Sequence, residues 1–135
     1  MVLPTFTDQA IAGEPITVFG DGKQSRCFCH VNDTVEAVLR LLETPEAIGE
    51  VFNVGSSREI RMHDLAIAVR TAAGSDSPII FLPYEDAYAV GFEDMLRRVP
   101  DASKLERFTG FKPSISLEQI IADVIADRRA RLVQA

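Results

Sequence analysis

Hydrophobic residues recur along this chain with two different periods, which predict helices and strands in alternation. Apolar side chains three and four residues apart predict helices, and the segments with this spacing are residues 4–12, 31–44, 61–74, 102–110 and 116 onward. Short apolar runs bounded by turn residues predict strands, and these runs are PITVFGDG, SRCFCHV, GEVFNVGS, SPIIFLPY and the brief RRVPD. Residues 85–97 fit neither period. The alternation predicts a mixed α/β (α+β) fold in a single domain over residues 1–135.

Two of the predicted helices carry further signals at their ends and faces. In residues 31–44, four apolar side chains at i, i+3, i+4 and i+7 mark one face, namely Val35, Val38, Leu39 and Leu42. Asn32 or Asp33 is expected to cap the N-terminus of this helix. In the last helix, Ser116 and Gln119 form a capping box. Its expected buried stripe is Leu117, Ile120, Ile121, Val124 and Ile125.

The segment FGDGKQSRCFCH, residues 19–30, contains two patterns that resemble ligand sites. GDGK resembles a phosphate-binding loop, but such a loop continues with Ser or Thr into a helix, whereas Gln24 and a predicted strand follow Lys23. Asp-Gly between two strands instead predicts a hairpin. Cys27 and Cys29 resemble the start of a metal site, but structural zinc takes four ligands, and the two histidines of the chain are poorly placed to complete the set. We therefore predict no metal site and apolar packing of both thiols.

Composition and charge narrow the class of protein. With 47% hydrophobic and 25% charged residues, the 135-residue chain is typical of a globular domain. No apolar run approaches the ~20 residues of a membrane-spanning helix, and the N-terminal segment lacks the basic and apolar regions of a secretory signal. The net charge of −6 argues against nucleic-acid binding. Two cysteines that are poorly placed to bridge each other indicate a reducing compartment, so we expect a cytoplasmic protein.

Four longer phrases, taken in order, carry a resemblance to a known family. They are GEPITVFGDGKQSRCFCHVNDTVEAV, GEVFNVGSSREIRMHDLA, PYEDAY and GFEDMLRRVPDASKL. Over nearly its whole length the chain resembles the C-terminal part of the extended short-chain dehydrogenases/reductases, the NAD-dependent epimerase/dehydratase family. The resemblance is closest to UDP-glucose 4-epimerase-like and UDP-glucuronate decarboxylase-like enzymes. It implies the small substrate-binding half of an NAD(P)-binding Rossmann-type enzyme that acts on a nucleoside diphosphate sugar.

The family's cofactor and catalytic motifs do not occur in this sequence. Members begin with a glycine-rich turn that holds the NAD pyrophosphate at a helix N-terminus, and they carry a Tyr-x-x-x-Lys pair for hydride chemistry. Tyr84 and Tyr88 have no Lys four residues later. We therefore expect a substrate-binding half cut from a larger enzyme, with NAD in the intact enzyme but no cofactor and no catalytic residue in this chain alone. Its expected partners are the NAD-binding N-terminal half and, through apolar surface left bare, a second copy of the chain.

Arginines are the first candidates for contact with the substrate, because a diphosphate carries about two negative charges and arginine grips such groups bidentately. The resemblance implies that Arg26, in the phrase GDG-x-x-x-R-x-F, contacts the diphosphate–ribose region. Arg98 is the second candidate, and Arg97 is the alternative if the match to the family is shifted by one residue. The alternative interpretation makes Arg26 a strand-surface residue and the other two a solvated pair.

Three further residues are candidates for contact with the nucleotide sugar. In the family, the stretch that corresponds to Val18 and Phe19 lies beside the nucleotide base, although core packing is the alternative for both residues. Asn53 follows a predicted strand and precedes a Gly-Ser turn, where its amide is able to reach a ligand. Capping of the local backbone is an equally good use for that amide.

Two functions from different classes remain open. In the first, the chain is the substrate domain of an NAD-dependent nucleotide-sugar epimerase, dehydratase or decarboxylase and is inactive alone. In the second, it is a stand-alone small α/β binding or interaction module that descends from such an enzyme. The sequence does not distinguish among the sugars, nucleotides or reactions.

Overall fold

The computed structural model describes residues 1–83 and 95–134, and helices and strands alternate there much as the sequence pattern predicts. Residues 84–94, which include most of PYEDAY and most of the stretch that fits neither period, lie outside the described residues. None of the helices in the described ranges is long and apolar enough to span a bilayer. In chain order the elements are α1 (Val2–Ala12), β1 (Ile16–Phe19), β2 (Ser25–Cys27), α2 (Val31–Leu42), a 3₁₀ turn (Pro45–Ala47), β3 (Glu59–Arg61), α3 (Met62–Ala73), β4 (Ile79–Leu82), α4 (Ser103–Thr109) and α5 (Leu117–Gln134).

The chain divides into two compact units, each of which is described by itself. Unit 1 comprises Met1–Ser25, Ile60–Arg97 and Ile121–Ala135. Unit 2 comprises Arg26–Glu59 and Arg98–Ile120. The single domain over residues 1–135 stays a prediction.

Unit 1 is built on a parallel pair of strands. β1 and β4 pair from Ile16 opposite Ile79 to Phe19 opposite Leu82. α1 and α3 pack against each other, and both contact β1. Parallel strands require a long crossover, and α3 lies on the chain between these two. The buried side chains of unit 1 include Leu3, Phe6, Thr7, Ala10, Ile16, Val18, Met62, Leu65, Ala66, Val69, Ala73, Ile121 and Ile125.

The predicted hairpin between β1 and β2 is wrong, because the two strands lie in different two-stranded sheets, β1 with β4 and β2 with β3. The GDGK segment does form a tight turn, in which Asp21 Oδ1 accepts a hydrogen bond from the Lys23 backbone N–H at 2.9 Å. Two carbonyls in and just after this turn accept hydrogen bonds from α3. Gly22 and Gln24 accept hydrogen bonds from the first backbone N–H groups of α3, which have no partner inside the helix. The turn therefore caps α3 and does not join two strands of one ladder.

A buried carboxylate organises unit 2. Asp33, in the first turn of α2, is 5% exposed. Its Oδ2 accepts hydrogen bonds from the backbone N–H groups of Ser114 at 3.1 Å and Ile115 at 2.9 Å. The predicted cap at Asn32 or Asp33 is wrong, because α2 begins at Val31 and His30 caps it, with Nδ1 accepting from the Asn32 N–H at 3.0 Å. The side chain of residue 33 is thereby available to hold the segment before α5.

The apolar face of α2 is exposed. The helix itself is confirmed, and α2 packs on α4. The residues of α2 that are buried are Asp33 and Ala37. The predicted apolar face remains between 46% and 78% exposed, at Val35, Val38, Leu39 and Leu42. These four apolar side chains lie on one exposed face of α2, opposite to the burial that the sequence pattern predicts.

Other predicted elements differ from the structure at identifiable points. The strand predicted at GEVFNVGS is wrong, because residues 50–58 form neither helix nor strand, and the strand over SRCFCHV ends at Cys27. β3 was not predicted, since it has three residues and two of them are charged. In place of a strand at RRVPD, Arg97 forms a single parallel bridge with Ser25.

The capping role of Ser116 is confirmed, as its Oγ accepts from the Gln119 N–H at 3.2 Å. The predicted stripe of α5 is buried at Leu117, Ile120, Ile121 and Ile125 and half-buried at Val124.

The space around Gly22 in unit 1 yields a first prediction. Gly22 has a φ of +70°, and an added Cβ would lie 3.0 Å from His63 Cβ and 3.1 Å from atoms of Phe81 and Val18. Gly13 has a φ of +71° with nothing within 4 Å of such a Cβ. Left-handed strain costs an alanine about 1–2 kcal/mol at either position, and overpacking adds about 1–3 kcal/mol at Gly22 alone.

Gly22→Ala is therefore expected to lower the free energy of unfolding more than the matched control Gly13→Ala, by roughly 1–3 kcal/mol. Urea denaturation of the two variants and the parent measures the difference. Equal losses in the two variants would show that the packing around Gly22 does not constrain the turn.

Candidate functional site

A cleft of about 460 Å³ lies within unit 2. Two extended segments form most of it, and we call residues 53–56 the first wall and residues 98–101 the second wall. The residues that line the cleft are Cys27, Cys29, Asn53, Val54, Gly55, Ser56, Arg98, Val99, Pro100 and Asp101. The first wall carries an amide and a hydroxyl, and the second wall carries a guanidinium and a carboxylate. The cleft therefore offers hydrogen-bond donors and acceptors as well as one charge of each sign.

Lys104 in α4 holds the chain that leads into the first wall. Its Nζ contacts Glu50 Oε2 at 2.6 Å and donates to the Val51 carbonyl at 3.0 Å. The same ammonium lies 4.8 Å from the ring centroid of Phe52 and 5.8 Å from that of Phe108. The two rings meet edge to face at 5.2 Å. We call these five residues the Lys104 cluster.

The two walls also contact each other directly. The Asn53 side-chain amide donates to the Asp101 carbonyl at 3.2 Å. A Cβ at Gly55 would lie 2.9 Å from Pro100 Cγ, so that only glycine allows this close approach. These contacts limit how far the walls can separate at their closest points.

The second wall ends in an ionised carboxylate. Hydrogen bonds from Ser103 hold the pKa of Asp101 below its ordinary value, and the nearby charge of Arg107 lowers that pKa further. One of these bonds runs from the Ser103 backbone N–H to Asp101 Oδ1 at 2.9 Å. Arg98 is exposed at the other end of the same wall. A cation and an anion thus lie three residues apart along one side of the cleft.

The structure brings two of the six predicted site residues together, since Asn53 and Arg98 both line the cleft. Arg26 belongs to unit 2 and is half-buried, and it precedes the lining residue Cys27 without lining the cleft itself. The remaining three, Val18, Phe19 and Arg97, belong to unit 1.

Those three differ in exposure. Val18 is 1% exposed in the core, and Phe19 is half-buried at the end of β1. Arg97 is exposed.

The packing predicted for the two thiols differs from what is observed. Cys27 and Cys29 are half-exposed, line the cleft and form no disulfide. The reason is that β2 ends at Cys27, so that residues 28–30 leave the strand and lead into the cap of α2. Within residues 1–83 and 95–134, no group of three or more His, Cys, Asp or Glu side chains is arranged to hold a metal ion.

A second cleft, of about 470 Å³, adjoins the first in unit 2 and shares Gly55, Ser56, Pro100 and Asp101 with it. Arg58 lines this second cleft and forms a bidentate ion pair with Glu118, at 2.8 and 2.6 Å. The pKa of Glu118 is lowered to about 2, mainly by the hydrogen bonds from Arg58 and to a lesser extent by hydrogen bonds from the Glu118 backbone N–H and from Ser116. This ion pair connects the chain after the first wall to the start of α5.

Sequence reasoning missed four residues that shape the cleft, namely Gly55, Pro100, Asp101 and Lys104. Three of them lie in the phrase VPDASKL, which served to establish the resemblance and to predict a strand and a helix but suggested no site residue. Lys104 gave no separate signal, because a lysine near the start of a short helix usually points to solvent. Its role depends on Glu50 and Phe52, which lie more than fifty residues earlier in the chain.

Similarities to known proteins agree with this fold. Residues 1–55 match the family model described as the NAD dependent epimerase/dehydratase family. The UDP-N-acetyl-alpha-D-glucosaminuronate decarboxylase of Bacillus cytotoxicus is 37% identical over 124 residues, which are 92% of this chain and 38% of the relative. The structure of UDP-glucose 4-epimerase from Thermotoga maritima with UDP-glucose matches at a TM-score of 0.86 and 28% identity, over 98% of this chain and 40% of that one. UDP-glucuronic acid 4-epimerase from Bacillus cereus, in complex with UDP-glucuronic acid and NAD, matches at a TM-score of 0.80 and 26% identity, over 95% and 40%.

The resemblance noted in the sequence is thereby confirmed. The fold is that of one part of a Rossmann-type epimerase, with mixed α/β structure and a parallel strand pair. The chain is homologous to part of the NAD-dependent nucleotide-sugar epimerases and decarboxylases. It spans 28–38% of the length of the curated relatives that it matches.

The ion pair between Arg58 and Glu118 yields a prediction about acid stability. Because the folded-state pKa of Glu118 is about 2 against an ordinary 4.5, the pair stabilises the fold fully above pH 4.5. This contribution is lost progressively as the pH falls from 4.5 towards 2. Both groups are exposed, so the effect is small and added salt weakens it further.

Urea denaturation at several pH values compares the parent with Glu118→Gln. We expect the parent to lose more stability than the variant between pH 4.5 and 2 in low salt, and the difference to shrink in high salt. Parallel pH profiles of the two proteins in low salt would contradict the assignment of the low pKa to this pair.

Proposed function

We propose that this chain is the portion of an NAD-dependent nucleotide-sugar enzyme that binds the nucleoside diphosphate sugar, and that its ligand enters the cleft of unit 2. The observation that carries the proposal is the presence of Arg98 and Asn53 in one cleft. Each residue comes from a different phrase of the family resemblance, 45 positions apart in the sequence. The relatives named above include proteins whose structures contain UDP-glucose or UDP-glucuronic acid.

The charges of the cleft suit the two ends of such a ligand. Arg98 supplies a guanidinium for the diphosphate in a chain whose net charge is −6. Asp101, kept ionised by Ser103, repels phosphate but accepts hydrogen bonds from sugar hydroxyl groups. The cleft therefore favours a ligand that carries an anionic group beside hydroxyl groups.

The other predicted site residues receive unequal support. The Asn53 side-chain amide already donates one hydrogen bond to the Asp101 carbonyl. This contact supports a role of Asn53 in holding the backbone as well as a role at the edge of the cleft. Arg26 stays a candidate for the diphosphate on the family resemblance alone, since the cleft is lined by its neighbour Cys27 and not by Arg26 itself. The burial of Val18 favours core packing, so a contact of Val18 and Phe19 with the nucleotide base has less support. Arg98 has more support than Arg97, since only Arg98 lines the cleft.

The proposal covers binding and assigns no single reaction. Similar proteins carry the names of decarboxylases, epimerases and synthases, which share a nucleotide sugar and differ in chemistry. NAD is proposed to bind in a longer protein, in the part of the relatives that this chain does not match, and not to this chain alone. A cytoplasmic location is proposed from the two cysteines, which form no disulfide.

The alternative function, an interaction module, draws on the exposed apolar face of α2. Its support is the exposure of Val35, Val38, Leu39 and Leu42, which in most soluble domains would be buried. We propose that an NAD-binding half covers this face in a longer protein, and that a second copy covers it when the chain is alone. The two functions are compatible, since they use different surfaces of unit 2.

The binding proposal predicts different results for two adjacent arginines. Arg98→Ala removes a charge-assisted contact with the diphosphate, which contributes about 1.5–3 kcal/mol, and should weaken UDP binding roughly ten- to a hundredfold. Arg97→Ala is the matched control, because Arg97 is also exposed but does not line the cleft. Calorimetric titration of the chain with UDP measures both affinities, and thermal unfolding checks that neither variant is destabilised.

Arg26→Ala should also weaken binding, and Arg26→Lys should recover only part of the loss because the bidentate guanidinium is gone. Failure of the parent chain to bind UDP would refute the proposed function. Equal affinity of the Arg98→Ala and Arg97→Ala variants would refute the assignment of Arg98.

The exposed face of α2 predicts self-association of the chain. Sedimentation velocity at about 100 μM should detect species larger than a monomer, because large exposed apolar patches tend to be covered. The double variant Val35→Lys, Leu42→Lys places two charges on this face and should shift the chain to monomer.

The matched control is Leu132→Lys, Val133→Lys, which changes two apolar residues of α5 that are, as a pair, at least as exposed as Val35 and Leu42. This variant should associate as the parent does. A parent chain that sediments as a monomer, or a control that dissociates as fully as the α2 variant, would rule out α2 as the interface.

A further inference from the structure

The ammonium group of Lys104 has four partners within unit 2. It reaches one carboxylate oxygen and one backbone carbonyl, at 2.6 and 3.0 Å. It also lies over two aromatic rings that are in contact with each other. The side chain is 33% exposed, and its partner Glu50 is 48% exposed.

The partners of Lys104 stop at the edge of the cleft. Apart from Phe108 in α4, they occupy positions 50, 51 and 52, and the next residue, Asn53, is the first of this segment to line the cleft. Lys104 itself does not line it. The ammonium therefore holds the chain immediately before the first wall without touching the space that a ligand would fill.

Lys104 is also connected to the second wall. Only two residues separate it from Asp101, and the hydrogen bond from Ser103 to Asp101 makes the link between them rigid. One side chain thus joins the continuation of the second wall to the approach of the first. Together with the direct contacts between the walls, these contacts of Lys104 restrain the first wall, because residues 50–58 form no strand in the described structure.

We propose that Lys104 is a positioning residue for ligand binding in the cleft. It acts through residues 50–52, which it holds against α4, and so it fixes the distance between Asn53 on one wall and Arg98 on the other. The inference rests on the proposed function, since it concerns the affinity of the same cleft. In this inference, Lys104 affects the affinity of the cleft for its ligand although Lys104 does not contact the ligand.

The first test separates positioning from stability. Lys104→Met keeps the aliphatic stem but loses both oxygen contacts, and Lys104→Arg keeps a cation able to bind Glu50 and to stack on the two rings. UDP affinity is measured well below the unfolding temperature of each variant, where nearly all molecules are folded. We expect Lys104→Met to weaken UDP binding roughly tenfold or more, and Lys104→Arg to restore most of the affinity.

Hydrogen exchange provides a readout that does not need a ligand. In Lys104→Met, the amides of residues 51–56 should exchange faster than in the parent, while those of α1 and α3 in unit 1 should not change. Lys112→Met is the matched control, because Lys112 is an exposed lysine of unit 2 outside this cleft. It should change neither the exchange of residues 51–56 nor the UDP affinity.

The outcomes distinguish the two claims. If the parent does not bind UDP, the proposed function fails, and the role of Lys104 in binding fails with it. If the parent binds UDP and Lys104→Met binds it equally well, the proposed function stands and the inference about Lys104 is overturned. A variant that unfolds at lower temperature but binds UDP with the affinity of the parent identifies a purely stabilising lysine and also overturns it.

Discussion

Backbone polar groups that pair with no strand need other hydrogen-bond partners, and this constraint shapes unit 2. Residues 50–58 lie outside any strand in the described structure, so side chains from elsewhere supply part of what a ladder would supply. In that segment, Lys104 donates a hydrogen bond to the Val51 carbonyl. In the segment before α5, the Asp33 carboxylate accepts hydrogen bonds from the backbone N–H groups of residues 114 and 115. Because the first wall of the cleft belongs to this segment without strand pairing, the position of that wall depends on a few side-chain contacts and not on a sheet.

The alternation of helices and strands was predictable because it depends on local patterns. The glycines that end α1, α3 and α4 and the Ser116 hydroxyl that caps α5 are local features of this kind. Pairing partners were not predictable in the same way. β1 pairs with β4, some sixty residues away, while the Asp-Gly turn that suggested a hairpin instead caps α3. A turn sequence specifies a local bend, but the choice of partner depends on which buried strand is available.

The candidate site likewise combines features that the sequence predicts with features that depend on contacts between distant residues. The residue types of the site were predictable from the family phrases, and two of the six candidates, Asn53 and Arg98, came together. The choice between Arg97 and Arg98 required coordinates, because neighbouring residues on an extended chain point to opposite sides. The Lys104 cluster was beyond prediction, since it joins residues that are more than fifty positions apart. The amphipathic pattern of α2 predicted a helix correctly, but the pattern alone does not show whether its apolar face is covered within the same chain.

The central claim is that the cleft of unit 2 binds the nucleoside diphosphate part of a nucleotide sugar. Chemical-shift mapping of the ¹⁵N-labelled chain during titration with UDP tests this claim most directly, because it reports each wall separately. The account predicts saturable shifts at amides of residues 53–56 and 98–101, with little change in α1 and α3. Saturable shifts that avoid both walls, or no saturable shift at any amide, would contradict it.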